Sequence, residues 1–382
     1  LGMLGGVDTR DGEGGGGKGG VMRCTREAVA REERVDAAVE GALGVSQATG
    51  IGALNHDIQS NKELQATSSP TVEVMIEPSD STTEIPLVFL HGIGTINANP
   101  LARYIGPAAQ EMIGGEVWSV GYNNAHLDER VTAGKIVTQA NERGITHVQL
   151  VGYSGGFIMA TKVARIIAEE SSLQVVGISG ISAPDGFETV REEHVEAVEL
   201  LNVLDIFPDL AYSTPVRKLG ELAFRSDRYL EDGQVDIGKL WRTWDEINEV
   251  VDTNKLPGTW LILDQLALIE TANIAADLQA ISRASPTRLR PVISYFGTAQ
   301  PGIDAVVDDA KAAQAICGYA HKAGMDCHHF VVPGAVHMRV DVGTEAYREV
   351  FAAAHAPVQA SMEAAEQERR LAIGGLFMGV QK

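Results

Sequence analysis

A serine flanked by glycines lies at a point of the chain where its hydroxyl is suited to act as a nucleophile. Residues 152–156 read Gly-Tyr-Ser-Gly-Gly, a G-x-S-x-G pattern centred on Ser154. The pattern follows the segment Val-Gln-Leu-Val, which is predicted to be a buried strand, and precedes a helix-like run over 157–167. A tight strand–turn–helix junction raises such a serine above the sheet edge and requires small neighbours, here Gly152 and Gly156. The N-terminus of the following helix favours negative charge, so an oxyanion formed at this turn would be stabilised.

A second pattern lies upstream, where an apolar strand ends in His-Gly. Residues 85–90 read Ile-Pro-Leu-Val-Phe-Leu, a continuous apolar run that is typical of a strand covered on both faces. His91, Gly92 and Ile93 follow directly. Together with the serine turn, this arrangement resembles the α/β-hydrolase superfamily. The resemblance covers about residues 71–357, apart from a helical interruption that carries no motif of its own.

The resemblance implies roles for the residues around Ser154. In this family the amide of the residue after His-Gly and the amide of the residue after the nucleophile form the oxyanion hole. The corresponding residues here are Ile93 and Gly155. His91 matches the family's structural histidine at this turn and not its catalytic base.

The family's general base follows the last strand of the sheet. Residues 330–337 read Phe-Val-Val-Pro-Gly-Ala-Val-His, and a strand followed by Pro-Gly-Ala-x-His resembles the family's histidine loop. The resemblance therefore predicts His337 as the base. The other late histidines fall within predicted helices or within the strand itself: His321, His328, His329 and His355.

The position of the acid is less sharply defined by the resemblance. The family usually places it just after the strand that follows the interruption, here 292–297. The commonest spacing falls on a residue that is not acidic, and Asp304 is the nearest carboxylate. Asp185, which follows the preceding strand, is a distinct alternative because some members carry their acid there. Asp308 and Asp309, at a predicted helix start, are further candidates.

The chain order Ser154, Asp304, His337 is the Ser…Asp…His order of this fold. The resemblance implies a serine esterase or lipase-like enzyme (EC 3.1.1) that forms an acyl-enzyme and needs neither a metal nor an organic cofactor. Serine at the turn argues against the branches that open epoxides or cleave carbon–halogen bonds, which use aspartate there. Amidase or peptidase, thioesterase and carbon–carbon hydrolase activities remain open, as does a non-catalytic binding protein of the same fold.

The elements around these motifs alternate between strand and helix, which predicts a mostly parallel sheet with helices on both faces. The alternation stops between Pro184 and Pro291, where amphipathic helical patterns predominate. One helix is predicted over 100–113 and one over 261–282. We therefore expect an α/β-hydrolase fold with an inserted helical cap. The expected segments are a disordered or loosely packed extension over 1–70, a core over 71–185 and 290–357, the cap over 186–289, and a helical tail over 358–382.

The amino-acid composition limits the classes of molecule that the protein can be expected to bind. The 382 residues are 45% hydrophobic and 21% charged, so most of the chain can bury a core. The net charge of −20 argues against nucleic acid and anionic membranes as partners, because an acidic protein repels phosphates. The sequence contains neither a run of about 20 apolar residues nor a signal-peptide pattern. We expect a small acyl substrate and a cytoplasmic location, and the sequence leaves the oligomeric state open.

The three cysteines carry no metal-binding pattern. Cys24, Cys317 and Cys327 include no C-x-x-C pair, which argues against a thiolate zinc site. Cys317 is predicted on a helix and Cys327 at the start of a strand. We expect the two to be separate buried packing residues and not a disulfide.

Overall fold

The structure is a computed structural model. By its internal contacts the chain divides into a unit over Leu1–Leu54 and a unit over Asn55–Lys382. Of the first unit, only 51–54 are described here. Cys24, the part of the expected extension over 1–50 and the part of the expected cap over 192–211 lie outside the described residues. The structure describes residues 51–66, 69–78, 85–124, 126–191, 212–225, 228–231, 234–252, 259–284, 289–298, 304, 306–335, 337 and 343–379.

Within the described residues, seven strands form one sheet, and two short strands form a separate hairpin. Six of the seven sheet strands run parallel, and the first, at one edge, is antiparallel to its neighbour. The strands are β1 (Thr71–Ile76), β2 (Leu87–Leu90), β3 (Val117–Gly121), β4 (His147–Tyr153), β5 (Gln174–Ile181), β6 (Leu230–Glu231), β7 (Gln234–Val235), β8 (Val292–Thr298) and β9 (Cys327–Val332). The sheet order is β1-β3-β2-β4-β5-β8-β9, and β6 pairs with β7.

Helices cover both faces of the sheet. The helices within the described residues are α1 (Ile51–Ala66), α2 (Asn99–Tyr104), α3 (Gly106–Ile113), α4 (Glu129–Glu142), α5 (Gly156–Glu170), α6 (Thr214–Phe224), α7 (Ile237–Asp252), α8 (Thr259–Glu270), α9 (Ile274–Ala284), α10 (Asp309–Lys322) and α11 (Thr344–Gly379).

Strand β2 shows how an apolar run supports two cores. Its side chains alternate between the faces of the sheet because successive residues of a strand point in opposite directions. Val88 and Leu90 pack in the cluster beneath α4, α5, α9 and α10. Leu87 and Phe89 pack in the opposite cluster with α2, α3 and α11. All four are buried, which explains why the run shows no polar alternation.

Strand register brings the two sequence motifs together. Strands β2 and β4 are parallel neighbours, and Leu90 pairs with Gly152. Both strands therefore end at the same edge of the sheet. The loop that begins at His91 and the turn that contains Ser154 leave that edge side by side.

Two predicted helices are each interrupted. The helix predicted over 100–113 breaks at Ile105, and Pro107 stands in the first turn of α3, where the missing N–H of proline costs nothing. The helix predicted over 261–282 breaks after Glu270. There the Asn273 side chain accepts a hydrogen bond from the Ala276 amide and starts α9.

The second half of the interrupted helix belongs to the core layer. Ile274, Leu278 and Ile281 of α9 are buried in the same cluster as α5. The predicted cap range of 186–289 thus includes a helix that covers the sheet. At the other end of the chain, the expected core helix and tail form one continuous helix, α11, with Pro357 inside it.

The described part of the expected N-terminal extension is helical and makes hydrogen bonds. In α1, the Asp57 carboxylate accepts from the amide and the hydroxyl of Thr214 at 2.7 and 2.6 Å. Asn61 Nδ2 donates to the carbonyl of Tyr212 at 2.9 Å, and Ile58 is buried. For these residues the structure differs from the expected loose packing, because polar partners far along the chain fix the helix.

Cys317 and Cys327 form a disulfide, with Cα atoms 5.2 Å apart. The expectation of two separate packing residues was wrong. Their placement on a helix and at the start of a strand was predicted, but not that the turn between α10 and β9 brings the two thiols together. The bond joins α10 to the strand that precedes His337.

Candidate active site

Ser154 stands on a strained turn between β4 and α5. Its φ is 52°, a conformation that non-glycine residues rarely adopt. The glycines of the motif allow the turn. A Cβ on Gly152 would lie 2.3 Å from backbone atoms of Phe157, and a Cβ on Gly156 would lie 2.4 Å from the carbonyl oxygen of Leu90. Any side chain at either position would force the backbone apart.

A line of hydrogen bonds runs from Ser154 through His337 to Asp304. His337 Nε2 lies 3.1 Å from Ser154 Oγ, and His337 Nδ1 lies 2.8 Å from Asp304 Oδ2. Asp304 and His337 are buried, with 1% and 5% exposure. With Nδ1–H donating to the carboxylate, Nε2 is the acceptor for the serine O–H, which is the tautomer a general base requires.

The Asp304 carboxylate is oriented by the backbone that follows it. Its Oδ1 accepts from the amides of Val306 and Val307 at 2.8 and 2.9 Å. Arg191 Nε donates to the Asp304 carbonyl at 2.7 Å. Burial raises the pKa of the carboxyl, but the hydrogen bond and charge of His337 and the two amides lower it by more, so the pKa lies below its usual value. Asp304 is therefore ionised at neutral pH.

The alternative acid, Asp185, lies elsewhere. Its carboxylate accepts from the hydroxyl of Thr189 at 2.8 Å and from the hydroxyl of Tyr319 at 3.2 Å. These contacts join the loop after β5 to α10. The structure does not bring Asp185 to His337.

The two further candidates also serve other elements. Asp308 caps α10 by accepting from the Lys311 amide. Asp309 accepts from the hydroxyl of Tyr295 at 2.7 Å and from the Thr298 amide at 2.7 Å. Burial raises the pKa of the Asp309 carboxyl. Both carboxylates hold the start of α10 in place.

The loop after β2 packs directly on the serine turn. A Cβ on Gly92 would lie 2.8 Å from the Gly155 nitrogen and 3.0 Å from Ser154 Cβ, so only glycine fits at this position. The contact brings the Ile93 loop against Gly155, the pair that the resemblance assigns to the oxyanion hole. Among the described residues, the backbone hydrogen bonds outside regular helices and strands include none donated by either amide.

His91 is the first residue of this loop. Burial lowers its pKa to about 4, with a backbone hydrogen bond to Gly92 acting in the opposite direction and the charge of His337 lowering it further. It is therefore neutral at neutral pH. Its ring lies 5.2 Å from that of Tyr153, which in turn lies 5.7 Å from that of His337. The hydroxyl of Tyr122 donates a hydrogen bond to the backbone carbonyl of His91 at 2.7 Å.

Helix α8 contributes side chains that line one side of the site. A small cavity beside the Gly92–Ile93 loop is mostly apolar, and Gln265 and Leu268 of α8 contribute to it together with Tyr122, Leu127 and Met159. Gln265 and Tyr122 were not among the predicted site residues. No local pattern marks either one, because each reaches the site only through tertiary packing.

The described ranges hold no group of three or more His, Cys, Asp or Glu side chains arranged to bind a metal ion. Nor does any helix within those ranges have the length and apolar character needed to cross a membrane.

No protein-family model and no curated protein matches the chain. Solved structures do. A carboxylesterase structure from the thaumarchaeon Nitrososphaera gargenis is 15% identical, with a TM-score of 0.47, and the match covers 77% of this chain and 96% of that one. A bromoperoxidase from Bacillus anthracis is 15% identical, with a TM-score of 0.47 and coverage of 76% and 97%. A monoacylglycerol lipase from Paleococcus ferrophilus is 14% identical, with a TM-score of 0.42 and coverage of 75% and 98%.

The chain has the α/β-hydrolase fold. Its own topology defines the class: parallel strands in the order β3-β2-β4-β5-β8-β9, an antiparallel strand at one edge, and a serine turn between β4 and α5. The predicted fold class is thereby confirmed.

Proposed function

We propose that the protein is a serine hydrolase that cleaves a carboxylic ester of a small molecule (EC 3.1.1). The observation that carries this proposal is the hydrogen-bonded line of Ser154, His337 and Asp304 next to the Ile93 loop. A buried base, an oriented carboxylate and a serine on a strained turn are the parts that acyl transfer requires.

The first half of the proposed reaction forms an acyl-enzyme. His337 Nε2 takes the proton of Ser154 Oγ as that oxygen attacks the carbonyl carbon of the ester. The carbonyl oxygen becomes an oxyanion and accepts from the amides of Ile93 and Gly155. Asp304 stabilises the imidazolium that forms. His337 then gives the proton to the alkoxy oxygen, the C–O bond breaks, and the alcohol leaves.

The second half releases the acid. His337 takes a proton from a water molecule as the water oxygen attacks the acyl carbon, and the same two amides hold the oxyanion. The intermediate collapses, the bond to Ser154 Oγ breaks, and His337 returns the proton to the serine. These steps use only side chains and backbone amides of the chain, so the proposed reaction needs no cofactor or metal.

The direct test is labelling with a fluorophosphonate probe, followed by peptide mass spectrometry. We expect one adduct, on Ser154, and turnover of p-nitrophenyl acetate or butyrate that is lost in Ser154→Ala. Ser182→Ala is the matched control, since Ser182 also has a positive φ, of 43°, at the end of the neighbouring strand. An adduct on another residue, or full turnover in Ser154→Ala, contradicts the proposal. Folded wild-type protein without adduct or turnover favours a non-catalytic binding protein.

Substrate panels separate the alternatives that share this chemistry. Amides, peptides, thioesters and activated carbon–carbon bonds are attacked by the same groups, so relative kcat/KM across these classes decides among them. We propose an ester because an alkoxide is a better leaving group than an amide anion, so cleavage of an ester depends less on the proton that His337 donates.

The compartment is open to a separate test. We predicted a cytoplasmic location, but the Cys317–Cys327 disulfide favours an oxidising compartment, because cytosolic reductants keep thiols reduced. Alkylation of free thiols in protein from its native source, read by mass, distinguishes the two. Blocked Cys317 and Cys327 argue against the cytoplasm.

A further inference from the structure

We propose that Gln265, on α8, is a positioning residue for the oxyanion hole. The inference rests on the proposed function and adds a residue to it. A single carboxamide holds the loop that follows β2, and through that loop it sets the direction of the Ile93 amide.

Gln265 makes two hydrogen bonds to this loop. Its Oε1 accepts from the Gly94 amide at 3.0 Å, and its Nε2 donates to the Thr95 carbonyl at 3.1 Å. The residue is 3% exposed. Pairing an N–H and a C=O at once requires a neutral group with a donor and an acceptor, and a carboxamide has both.

The two bonds restrict the residue that matters for the chemistry. Ile93 lies between Gly92, which packs against the Gly155 nitrogen, and Gly94, whose amide is held by Gln265. Gly94 has a φ of 82°, so the chain bends sharply there. With both neighbouring positions held, the peptide that carries the Ile93 amide has little freedom to rotate away from Ser154.

The same bond assigns the oxyanion donor. In the His-Gly-Ile-Gly sequence, the successive backbone amides of Ile93 and Gly94 are both candidates for the oxyanion donor. The Gly94 amide is already used by Gln265. The Ile93 amide is the one left to bind the oxyanion.

Removing the carboxamide would disturb the loop more than it disturbs the helix. The apolar side chains Leu127, Met159 and Leu268 share the cavity with Gln265 and offer no replacement hydrogen bond. The Tyr122 hydroxyl in the same cavity already donates to the His91 carbonyl. The Gly94 amide and the Thr95 carbonyl, which are half-buried, would lose their hydrogen-bond partners, which is costly unless water replaces them. We expect the loop to shift until these groups find water, and the Ile93 amide to shift with it.

The preceding residue of α8 offers a matched control. Asp264 Oδ2 accepts from the Leu127 amide at 2.9 Å and lies 3.3 Å from His126 Nδ1. It therefore attaches the same helix to a different loop, since adjacent helical residues point about 100° apart. Loss of Asp264 weakens the attachment of α8 without freeing the Gly94 amide.

The experiment compares Gln265→Leu, Gln265→Glu and Asp264→Asn with the wild type. The readouts are kcat and KM for p-nitrophenyl acetate, inhibition by phenylboronic acid, and the melting temperature. The boronic acid forms a tetrahedral adduct on serine, so its affinity reports on the oxyanion hole. We expect Gln265→Leu to lower kcat and boronate affinity roughly 10- to 100-fold, with KM nearly unchanged.

The control variants sharpen the comparison. Gln265→Glu keeps an acceptor for Gly94 and loses the donor to Thr95, so we expect a smaller loss of kcat. Asp264→Asn should keep kcat and boronate affinity within about twofold while its melting temperature falls.

Several outcomes would overturn the inference. A folded Gln265→Leu variant with wild-type kcat would show that the two hydrogen bonds of Gln265 do not position the Ile93 amide. An equal fall of kcat in Asp264→Asn shows that attachment of α8 is what matters. Failure of both Gln265 variants to fold shows a role in stability alone. If the wild type has neither turnover nor a Ser154 adduct, the proposed function itself has failed.

Discussion

Replacing Asp304 by asparagine tests whether this carboxylate sets the tautomer of His337. Asparagine has nearly the same shape, and its orientation follows from the structure. The amides of Val306 and Val307 both donate to Oδ1. The carbonyl oxygen of the asparagine must therefore face these amides, which leaves its NH2 group facing His337 Nδ1.

The tautomer then reverses. His337 Nδ1 must accept from the asparagine NH2, so the imidazole carries its proton on Nε2, the nitrogen that lies 3.1 Å from Ser154 Oγ. A protonated Nε2 cannot take the serine proton. In serine proteases this change lowers kcat by about 10⁴, which corresponds to about 5 kcal/mol in the activation free energy. We expect a similar loss here, with KM little changed.

The assay is steady-state hydrolysis of p-nitrophenyl acetate by Asp304→Asn, with thermal unfolding as a check on folding. Asp185→Asn is the matched control, because Asp185 is the other acid that the family pattern allows. We expect this control to keep kcat within a few-fold. A kcat loss below tenfold in folded Asp304→Asn would refute the reasoning. A larger loss in Asp185→Asn would assign the acid to Asp185 instead.

Three further predictions follow from individual contacts. Gly92→Ala should lower kcat at least 100-fold and lower the melting temperature, because the new Cβ would lie 2.8 Å from the Gly155 nitrogen. Removing the Cys317–Cys327 bond by reduction should lower the free energy of unfolding by ~2.7 kcal/mol, the loop-entropy value for a separation of 10, measured in urea. His91, with a pKa lowered to about 4, takes up its proton more readily when unfolded, so stability should fall between pH 6.5 and pH 4, by about 3 kcal/mol.

Each of these predictions has its own control. Gly134→Ala, in α4 with nothing within 4 Å of the new Cβ, should be neutral or slightly stabilising, and equal damage there would count against the steric argument. Cys24→Ala should leave the response to reductant intact, and an unchanged urea midpoint after reduction would show that the bond adds nothing. His91→Gln should flatten the fall of stability with acid, and an identical pH profile would exclude His91 as its cause.

Local patterns in the sequence determined most of the fold. The apolar run of β2 is buried on both faces, and its continuous hydrophobicity indicates a strand of a parallel sheet. The serine turn was equally visible, because its glycines answer a steric demand within five residues. Such features are readable since cause and effect lie close together in the chain.

Which of four carboxylates contacts His337 depends on the tertiary structure. Asp185, Asp304, Asp308 and Asp309 are chemically alike, and spacing ranked them without separating them. Only the packing of the loop before α10 brings one of them to His337, 33 residues away, and gives the others to Thr189, Lys311 and Tyr295.

The breaks in the predicted helices were likewise not predictable from local sequence. Helical periodicity runs through 261–282, yet the chain ends α8 and starts α9 so that Ile274 and Leu278 can pack beside α5. The disulfide between Cys317 and Cys327 depends in turn on how α10 meets β9.

Gln265 is the clearest example of a residue whose contacts the local sequence does not predict. Within its helix it is an unremarkable polar residue, and no spacing relates it to Gly94, 171 residues earlier in the chain. The sequence by itself determined the strands, the serine turn and the candidate groups, because these follow from the sterics and periodicity of neighbouring residues. The tertiary structure alone decided which carboxylate, which thiols and which carboxamide meet their partners, because those contacts depend on the packing of segments far apart in the chain.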